Sequence, residues 1–506
     1  MNTLKKLWDD KPLQLILWVG FVLRLFSVLF AKGYGMSDDH FLVIENAQAW
    51  VNGYNYDTWY PDAQHPNAPA TGHSFFYPGI HYLLFLFFKF IGFESPQGKM
   101  VIVRALHALA SMVVVYSGFK IAEKLSGKHA ARMTGLLLSV FWFMPFLSVR
   151  NLVEFACVPP IMYASWLIIR DDERFNWKSI CIAGLMLAIA FSIRYQTVLF
   201  AGGMSLALFF KGKFKSSVLF FIAFAIPAAL IQAVPDYLIF GKPFVEFQEY
   251  YRYNQENATA YFTNYWYMYF VLIAGLLIPP ISLFLFFGFF KNWKKHLYLF
   301  LPAFIFLAFH SYFPNKQERF ILPVIPFIIV LGFIGWEEFK NGSAFWKKHI
   351  TLYRNIWIFF WVINTIPLVV VTISYSKRNR VESMVYLANK GDVKSIVIED
   401  SNRDDILIPP QFYMKKFTKV YRITSVEPDS TFYEEFYLKT PIELRPNYVV
   451  FMQRDHIVQR VLALKKYVHL TYETTIEPSY IDWLLNKMNW HNKNQTSYIY
   501  KIEEEK

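Results

Sequence analysis

Charge is what this chain has least of. Charged residues fill only 18% of its 506 positions, against roughly 25% in an average soluble domain. Beside that deficit stand 55% hydrophobic and 20% aromatic residues, including 52 Phe, 32 Tyr and 15 Trp. One globular core cannot hide so much aromatic surface from water, which excludes an ordinary soluble fold and points to a bilayer. Cysteine is almost missing as well. Cys157 and Cys181 both lie inside apolar runs, so no disulfide framework exists and the redox compartment is unread. Internal repeats and low-complexity tracts are absent.

What charge there is has the pattern of a membrane protein. The net charge of +13 is spread as short basic clusters between apolar runs, which suits an anionic inner-leaflet surface and not a nucleic-acid face. The chain opens Met-Asn-Thr-Leu-Lys-Lys and enters an apolar run over about 13–31. That run is longer than a signal h-region and has no small-residue cleavage site, so it reads as an uncleaved first span. Further spans are expected near 101–121, 133–149, 152–169, 179–195, 197–210, 216–234, 266–290, 296–313, 320–336 and 353–375, each near the length a bilayer requires.

A further apolar run, 75–93, decides the topology. If it lies along the outer interface, every basic cluster faces inside: Lys124, Lys128 and Arg132; Arg170, Arg174 and Lys178; Lys211, Lys213 and Lys215; Lys291, Lys294 and Lys295; Lys340, Lys347 and Lys348. If it crosses, most of them flip outward, against the positive-inside tendency. The expectation is therefore about eleven transmembrane helices over residues 1–375, a first outer loop over 33–100, and an outward C-terminus. From 376 to 506 the texture turns soluble. The runs Ser395-Ile-Val-Ile-Glu and Tyr448-Val-Val-Phe-Met alternate with amphipathic stretches such as 457–467, which predicts a C-terminal α/β domain. It carries no Gly-rich phosphate loop, zinc spacing or nucleophile elbow.

With this topology the outer side collects Asp38, Asp39 and Glu45 after the first span, Arg150 and Glu154, Arg194, Asp236, and then Lys316, Glu318 and Arg319. Charges at membrane depth are costly and usually paired or functional. An acidic first loop and basic groups elsewhere suit one chemistry. A sugar on a lipid phosphate is attacked by an acceptor hydroxyl, a carboxylate takes the proton, and cations hold the leaving phosphate. Each residue also has a plainer reading. Asp38 and Asp39 can cap a helix, and Glu45, seven residues after Asp38, can be a surface charge on the same helix face. Arg150, Arg194, Lys316 and Arg319 can be interfacial anchors, and Asp236 can be a cap. His73, His81, His107 and His310 lack metal-ligand spacing. The tyrosines 250, 251, 253, 261, 265 and 267 with Trp266 suit an interfacial belt better than a sugar platform.

A resemblance sharpens the choice. Ser37-Asp-Asp-His-Phe-Leu-Val-Ile-Glu45 resembles the Asp-Glu-x-Phe-x-x-x-Glu signature of glycosyltransferase family 22. His310-Ser-Tyr-Phe-Pro-Asn-Lys-Gln-Glu-Arg-Phe-Ile-Leu-Pro323 resembles its His-Lys-Glu-x-Arg-Phe motif, and Ser148-Val-Arg-Asn-Leu-Val-Glu154 its Arg-Thr-Leu-x-Asn segment. The stretch from Asp236 through Lys242-Pro243 to Tyr269 is similar to its large outer loop. The similarity runs in order over roughly 13–340. Asp39 stands for the family's second acidic residue, a Glu, while Asn315 and Gln317 replace its motif His and Glu and His73-Ser74 replaces an Arg-Ser. The resemblance implies an all-α GT-C fold with the C-terminal α/β domain appended. It also implies a mannosyltransferase that moves a sugar from a polyprenyl-phosphate donor to an outward-facing glycan or glycolipid acceptor, with inversion and no firm requirement for a metal or other cofactor. Asp38 and Asp39 become the catalytic carboxylates, Asp38 aligning with the first of the family. Glu45, Arg150, Arg194, Asp236, Lys316 and Arg319 become binding residues for donor phosphate and substrate. Short loops and compact length suggest a bacterial inner membrane, with the site and C-terminal domain periplasmic. Rival readings are a transporter or flippase for a lipid-linked sugar, a transferase acting on protein or lipid A, and a non-enzymatic scaffold.

Overall fold

A computed structural model describes residues 2–401, 407–424, 437–488 and 495–503. The chain divides into two compact units. One comprises Met1–Val28, Asn55–Ile80 and Val103–Thr372; the other comprises Leu29–Tyr54, His81–Ile102 and Ile373–Lys506.

The first unit is built of helices. Six helices in the described residues are long and apolar enough to cross a membrane: Pro12–Phe30, Pro96–Ser126, Val153–Arg170, Phe214–Phe240, Glu318–Gly342 and Ile350–Thr372. Shorter apolar helices in this unit include Trp177–Ile193, Tyr195–Phe210 and Leu297–Tyr312. Two expected spans are interrupted. The run 133–149 is a helix Lys128–Val140 followed by a short turn Met144–Leu147 that carries Pro145. The run 266–290 is Met268–Leu276 and then Ile281–Lys291, parted at Pro279-Pro280, where the missing N–H groups end a helix.

Packing explains two of the close approaches. Helices Ile281–Lys291 and Ile325–Gly342 lie against each other through Gly288, Gly332 and Gly335. A Cβ on Gly288 would stand 1.9 Å from the carbonyl oxygen of Gly332, so only hydrogen fits between these backbones. Arg24, inside Pro12–Phe30, is 1% exposed. Its guanidinium donates to Ser111 Oγ at 2.8 Å and to the carbonyls of Gly20, Ser139 and Leu138 at 3.0–3.3 Å. A charge at membrane depth is thereby satisfied by a hydroxyl and by backbone oxygens of its own and a neighbouring helix. Arg104 likewise donates to the Val28 carbonyl at 2.8 Å. Sequence reading took the spans as uncharged and passed over both.

The second unit contains a five-stranded sheet: β1 Ile396–Glu399, β2 Val420–Ile423, β3 Tyr448–Met452, β4 His469–Ile476 and β5 Ser497–Glu503. Its order is β2-β1-β3-β5-β4. The β2, β1 and β3 strands run parallel, with Ile398 opposite Val450, and β5 joins antiparallel with Ile499 opposite Val450. Every residue of β1 and β3 is buried, the pattern of strands covered on both faces. Helices Arg378–Lys390, Ile457–Lys465 and Tyr480–Met488 complete the α/β portion. Arg460 donates to Glu399 Oε2 at 2.7 Å and to the Met452 and Gln453 carbonyls at 2.8 and 3.1 Å, tying its helix to the strand ends.

Candidate active site

In the first unit, three elements bring charged groups together. Helix Trp177–Ile193 ends at Arg194, whose extended backbone turns the chain into a short 3-10 stretch, Tyr195–Thr197. The turn Val153–Ala156 carries Glu154, and the 3-10 stretch Glu318–Val324 carries Arg319 and Phe320. Glu154 Oε1 lies 3.5 Å from Arg194 Nη1 and 3.4 Å from Arg319 Nε. The Arg194 guanidinium sits 5.2 Å from the Phe320 ring centre, with that of Arg319 at 5.7 Å. Arg194 Nε also donates to Gln196 Oε1 at 3.0 Å.

The buried Arg194 guanidinium is the chemically telling feature of this cluster. Glu154 lies within ion-pair distance of both guanidiniums, and the Arg194 and Glu154 side chains are 3% and 4% exposed. Arg194 Nη2 is buried with no hydrogen-bond partner. A buried donor left unmade costs about 1–3 kcal/mol. Such a group is complementary to an anion with several acceptor oxygens, which Arg engages through its planar fork. Glu154 belongs to the cluster as its counter-charge, a role the sequence reading did not give it.

The other residues singled out from sequence have different surroundings. Arg150 is buried, its guanidinium 4.2 Å from the Phe146 ring centre. Lys316 is buried at the C-terminal end of helix Leu297–Tyr312. Its ammonium donates to the carbonyls of His310 at 3.1 Å, Ser311 at 2.9 Å, and Phe313. A cation capping a helix C-terminus is favoured by the helix dipole, and burial lowers the pKa of this amine.

Asp236 is absorbed by a group that sequence reasoning missed. Its Oδ2 accepts the backbone N–H of Glu246 at 3.0 Å. Glu246 is fully buried and its Oε2 accepts the Gly72 and His73 N–H groups at 2.6 and 3.0 Å and the Thr71 hydroxyl at 3.2 Å. Burial pushes this carboxyl up to about 7, winning over the donors that favour its ionised form. Gly72 has φ +77°, and a Cβ there would meet the backbone of Tyr250 at 3.1 Å. Nothing in the sequence marks Glu246, because its partners stand 173–175 residues away.

In the second unit, Asp38 and Asp39 lie in the short helix Ser37–Asp39, which continues into a π-helical stretch, His40–Glu45. Asp38 is exposed and Asp39 buried. The seven-residue spacing leads one to expect Asp38 and Glu45 on a common α-helical face. The π stretch changes that register, and Glu45 is instead fully buried. Its carboxylate accepts the Phe412 N–H at 3.0 and 2.9 Å and lies 3.2 Å from His40 Nε2. Among the described residues no group of three or more His, Cys, Asp or Glu side chains is arranged to hold a metal ion.

Comparison with known proteins gives this geometry its setting. Residues 15–396 match the Alg9-like mannosyltransferase family. The chain is 23% identical over 408 residues to mannosyltransferase APTG1 of Arabidopsis thaliana, covering 74% of this chain and 71% of that protein. It is 23% identical over 336 residues to GPI alpha-1,2-mannosyltransferase 3 of Homo sapiens, covering 64% of this chain and 57% of the human protein, so less than two thirds of that relative is spanned. Among solved structures, ArnT from Cupriavidus metallidurans bound to undecaprenyl phosphate aligns with a TM-score of 0.59 at 12% identity, over 96% of this chain and 97% of that one. AglB, the oligosaccharyltransferase of Archaeoglobus fulgidus in complex with an inhibitory peptide and a dolichol-phosphate, aligns at 0.52 and 10% identity, over 92% and 73%. These two likenesses establish the GT-C fold. Together with the match across most of its length, they make this chain a member of the Alg9-like mannosyltransferase family and a multi-pass membrane glycosyltransferase.

Proposed function

We propose that the chain transfers mannose from a polyprenyl-phosphate donor to an outward-facing glycan or glycolipid, with inversion at the anomeric carbon. The observation that carries this reading is the buried Arg194 guanidinium, which pairs with Glu154 beside Arg319 and keeps a nitrogen without a hydrogen-bond partner among the described residues. A phosphate oxygen suits that nitrogen in charge and in hydrogen-bonding capacity. That ArnT was solved with undecaprenyl phosphate and AglB with a dolichol-phosphate supports a polyprenyl carrier.

In this mechanism the acceptor hydroxyl oxygen attacks the anomeric carbon on the face opposite the phosphate. The bond from that carbon to the phosphate oxygen breaks, and the hydroxyl proton passes to Asp38. The exposure of Asp38 suits a base that must reach an incoming acceptor, and buried Asp39 is assigned the orienting part. Arg194 and Arg319, assisted by Arg150, offset the charge that grows on the leaving phosphate. Glu45, Asp236 and Lys316 have polar atoms engaged by protein groups, which favours support of the backbone over substrate contact. We assign the protein to a bacterial inner membrane with the C-terminal domain periplasmic; the basic clusters and the compact length support that orientation.

Arg319→Ala tests the phosphate assignment. The KM for the lipid donor is expected to rise more than that for the acceptor. Unchanged donor dependence would remove Arg319 from the phosphate site.

A further inference from the structure

The π-helical stretch His40–Glu45 directly follows the acidic pair, and π turns are rare and local. This one is stabilised by a side-chain contact across its own turn, because residues five apart overlie each other: His40 Nε2 is 3.2 Å from Glu45 Oε1. Both ends of that contact are fully buried. The His40 ring lies flat between Tyr34, at 4.5 Å and 18°, and Tyr413, at 5.7 Å and 9°. The Glu45 carboxylate receives the backbone N–H of Phe412 on both oxygens. Phe412 and Tyr413 belong to the 3-10 turn Gln411–Met414, which lies between β1 and β2 of the C-terminal sheet. Phe412 also stacks on Phe85 at 5.6 Å. A second tie lies close by. Ser376 N–H donates to the Lys32 carbonyl at 3.1 Å, and the Lys377 ammonium donates to the Gly35 carbonyl.

We propose that the turn Gln411–Met414 is a positioning element for the acidic pair, gripped by Glu45, so that the C-terminal portion of the chain sets the geometry of Asp38 and Asp39. This rests on the assignment of Asp38 as the base. Glu45 is then a positioning residue that touches neither donor nor acceptor. Its spacing from Asp38 matters because it fixes where the π turn ends. The turn also gives the appended α/β portion a part in catalysis. Burial of Glu45 is tolerable because a backbone N–H and an imidazole satisfy its oxygens.

The test uses the full-length protein, comparing Glu45→Ala and Glu45→Gln with wild type in two measurements. One is transfer kinetics with polyprenyl-phosphate mannose, and the other is amide hydrogen exchange over residues 37–46. A displacement of about 1 Å at a reacting group costs about 100-fold in rate, so Glu45→Ala is expected to lose about that much kcat. Donor and acceptor KM should stay within about threefold, the mark of lost transition-state positioning and not of lost binding. Exchange over 37–46 should quicken in the same variant. Glu45→Gln keeps an acceptor for the Phe412 N–H and should lose less on both counts. Wild-type kcat in Glu45→Ala, or unchanged exchange over 37–46, would overturn the proposal, as would a raised donor KM at unchanged kcat. Should Glu45→Ala fail to fold, Tyr413→Leu removes the ring behind His40 with Glu45 intact, and the same criteria decide. Wild-type turnover by Asp38→Asn would instead refute the base assignment, whatever the exchange data show.

Discussion

Replacing Glu154 by Gln removes the carboxylate that the Arg194 and Arg319 guanidiniums share and keeps its shape. Glu154 lies 3.5 Å from Arg194 and 3.4 Å from Arg319. At an effective dielectric of about 20, unit charges at that separation attract by about 5 kcal/mol. Desolvation already offsets much of this, and measured losses on deleting one partner of a buried pair run at about 3–5 kcal/mol. The buried Arg194–Glu154 pair falls in that range, less the hydrogen bond a Gln oxygen retains. The variant is therefore expected to unfold at a clearly lower temperature in detergent. A phosphate binding the same two guanidiniums competes with Glu154 for them. Adding a polyprenyl phosphate should then raise the midpoint of Glu154→Gln by more than that of wild type, since ligand bound to the folded state stabilises it by mass action. A wild-type midpoint in Glu154→Gln would refute the electrostatic reasoning. A lipid phosphate that stabilises wild type but not the variant would refute the shared site.

Two further outcomes follow from the same structure. A Cβ on Gly335 would stand 2.1 Å from the Gly288 carbonyl oxygen, so Gly335→Ala should destabilise the helix pair by about 1–3 kcal/mol or more; an unchanged unfolding midpoint would contradict the close packing. Glu246, held up at about 7 by burial, keeps a proton in the folded state that the unfolded chain gives up near 4.5. The folded state thus binds more protons in that window, and stability falls as pH rises through it, by at most about 3 kcal/mol. Glu246→Gln should flatten this dependence between about pH 4.5 and 7, read from unfolding midpoints across a pH series; an undiminished slope would assign it to other groups.

The membrane architecture was legible because hydropathy and span length are properties of contiguous residues. The same holds for β1, β3 and the helix Ile457–Lys465, each close to where alternating and amphipathic runs put it. Pro145 and Pro279-Pro280 mark the two interrupted spans. The π register of His40–Glu45 is a matter of backbone hydrogen bonding that side-chain spacing does not encode, so Glu45 was expected on the wrong face. Arg194 and Arg319 were identified as phosphate candidates from a motif and their places at span ends. The carboxylate they share was not, because that contact depends on how three separate segments converge. Glu246 and Arg24 were missed for a related reason: each is explained by partners distant in sequence, and hydropathy treats both as exceptions.

The most direct measurement is transfer of radiolabelled mannose from a synthetic polyprenyl-phosphate donor to a membrane glycolipid extract, comparing purified wild type with Asp38→Asn. Label moving with wild type alone, while the variant is folded and present in equal amount, is the predicted result. Equal transfer by both proteins would contradict the assignment of Asp38 as the base, and transfer by neither would contradict the choice of donor sugar.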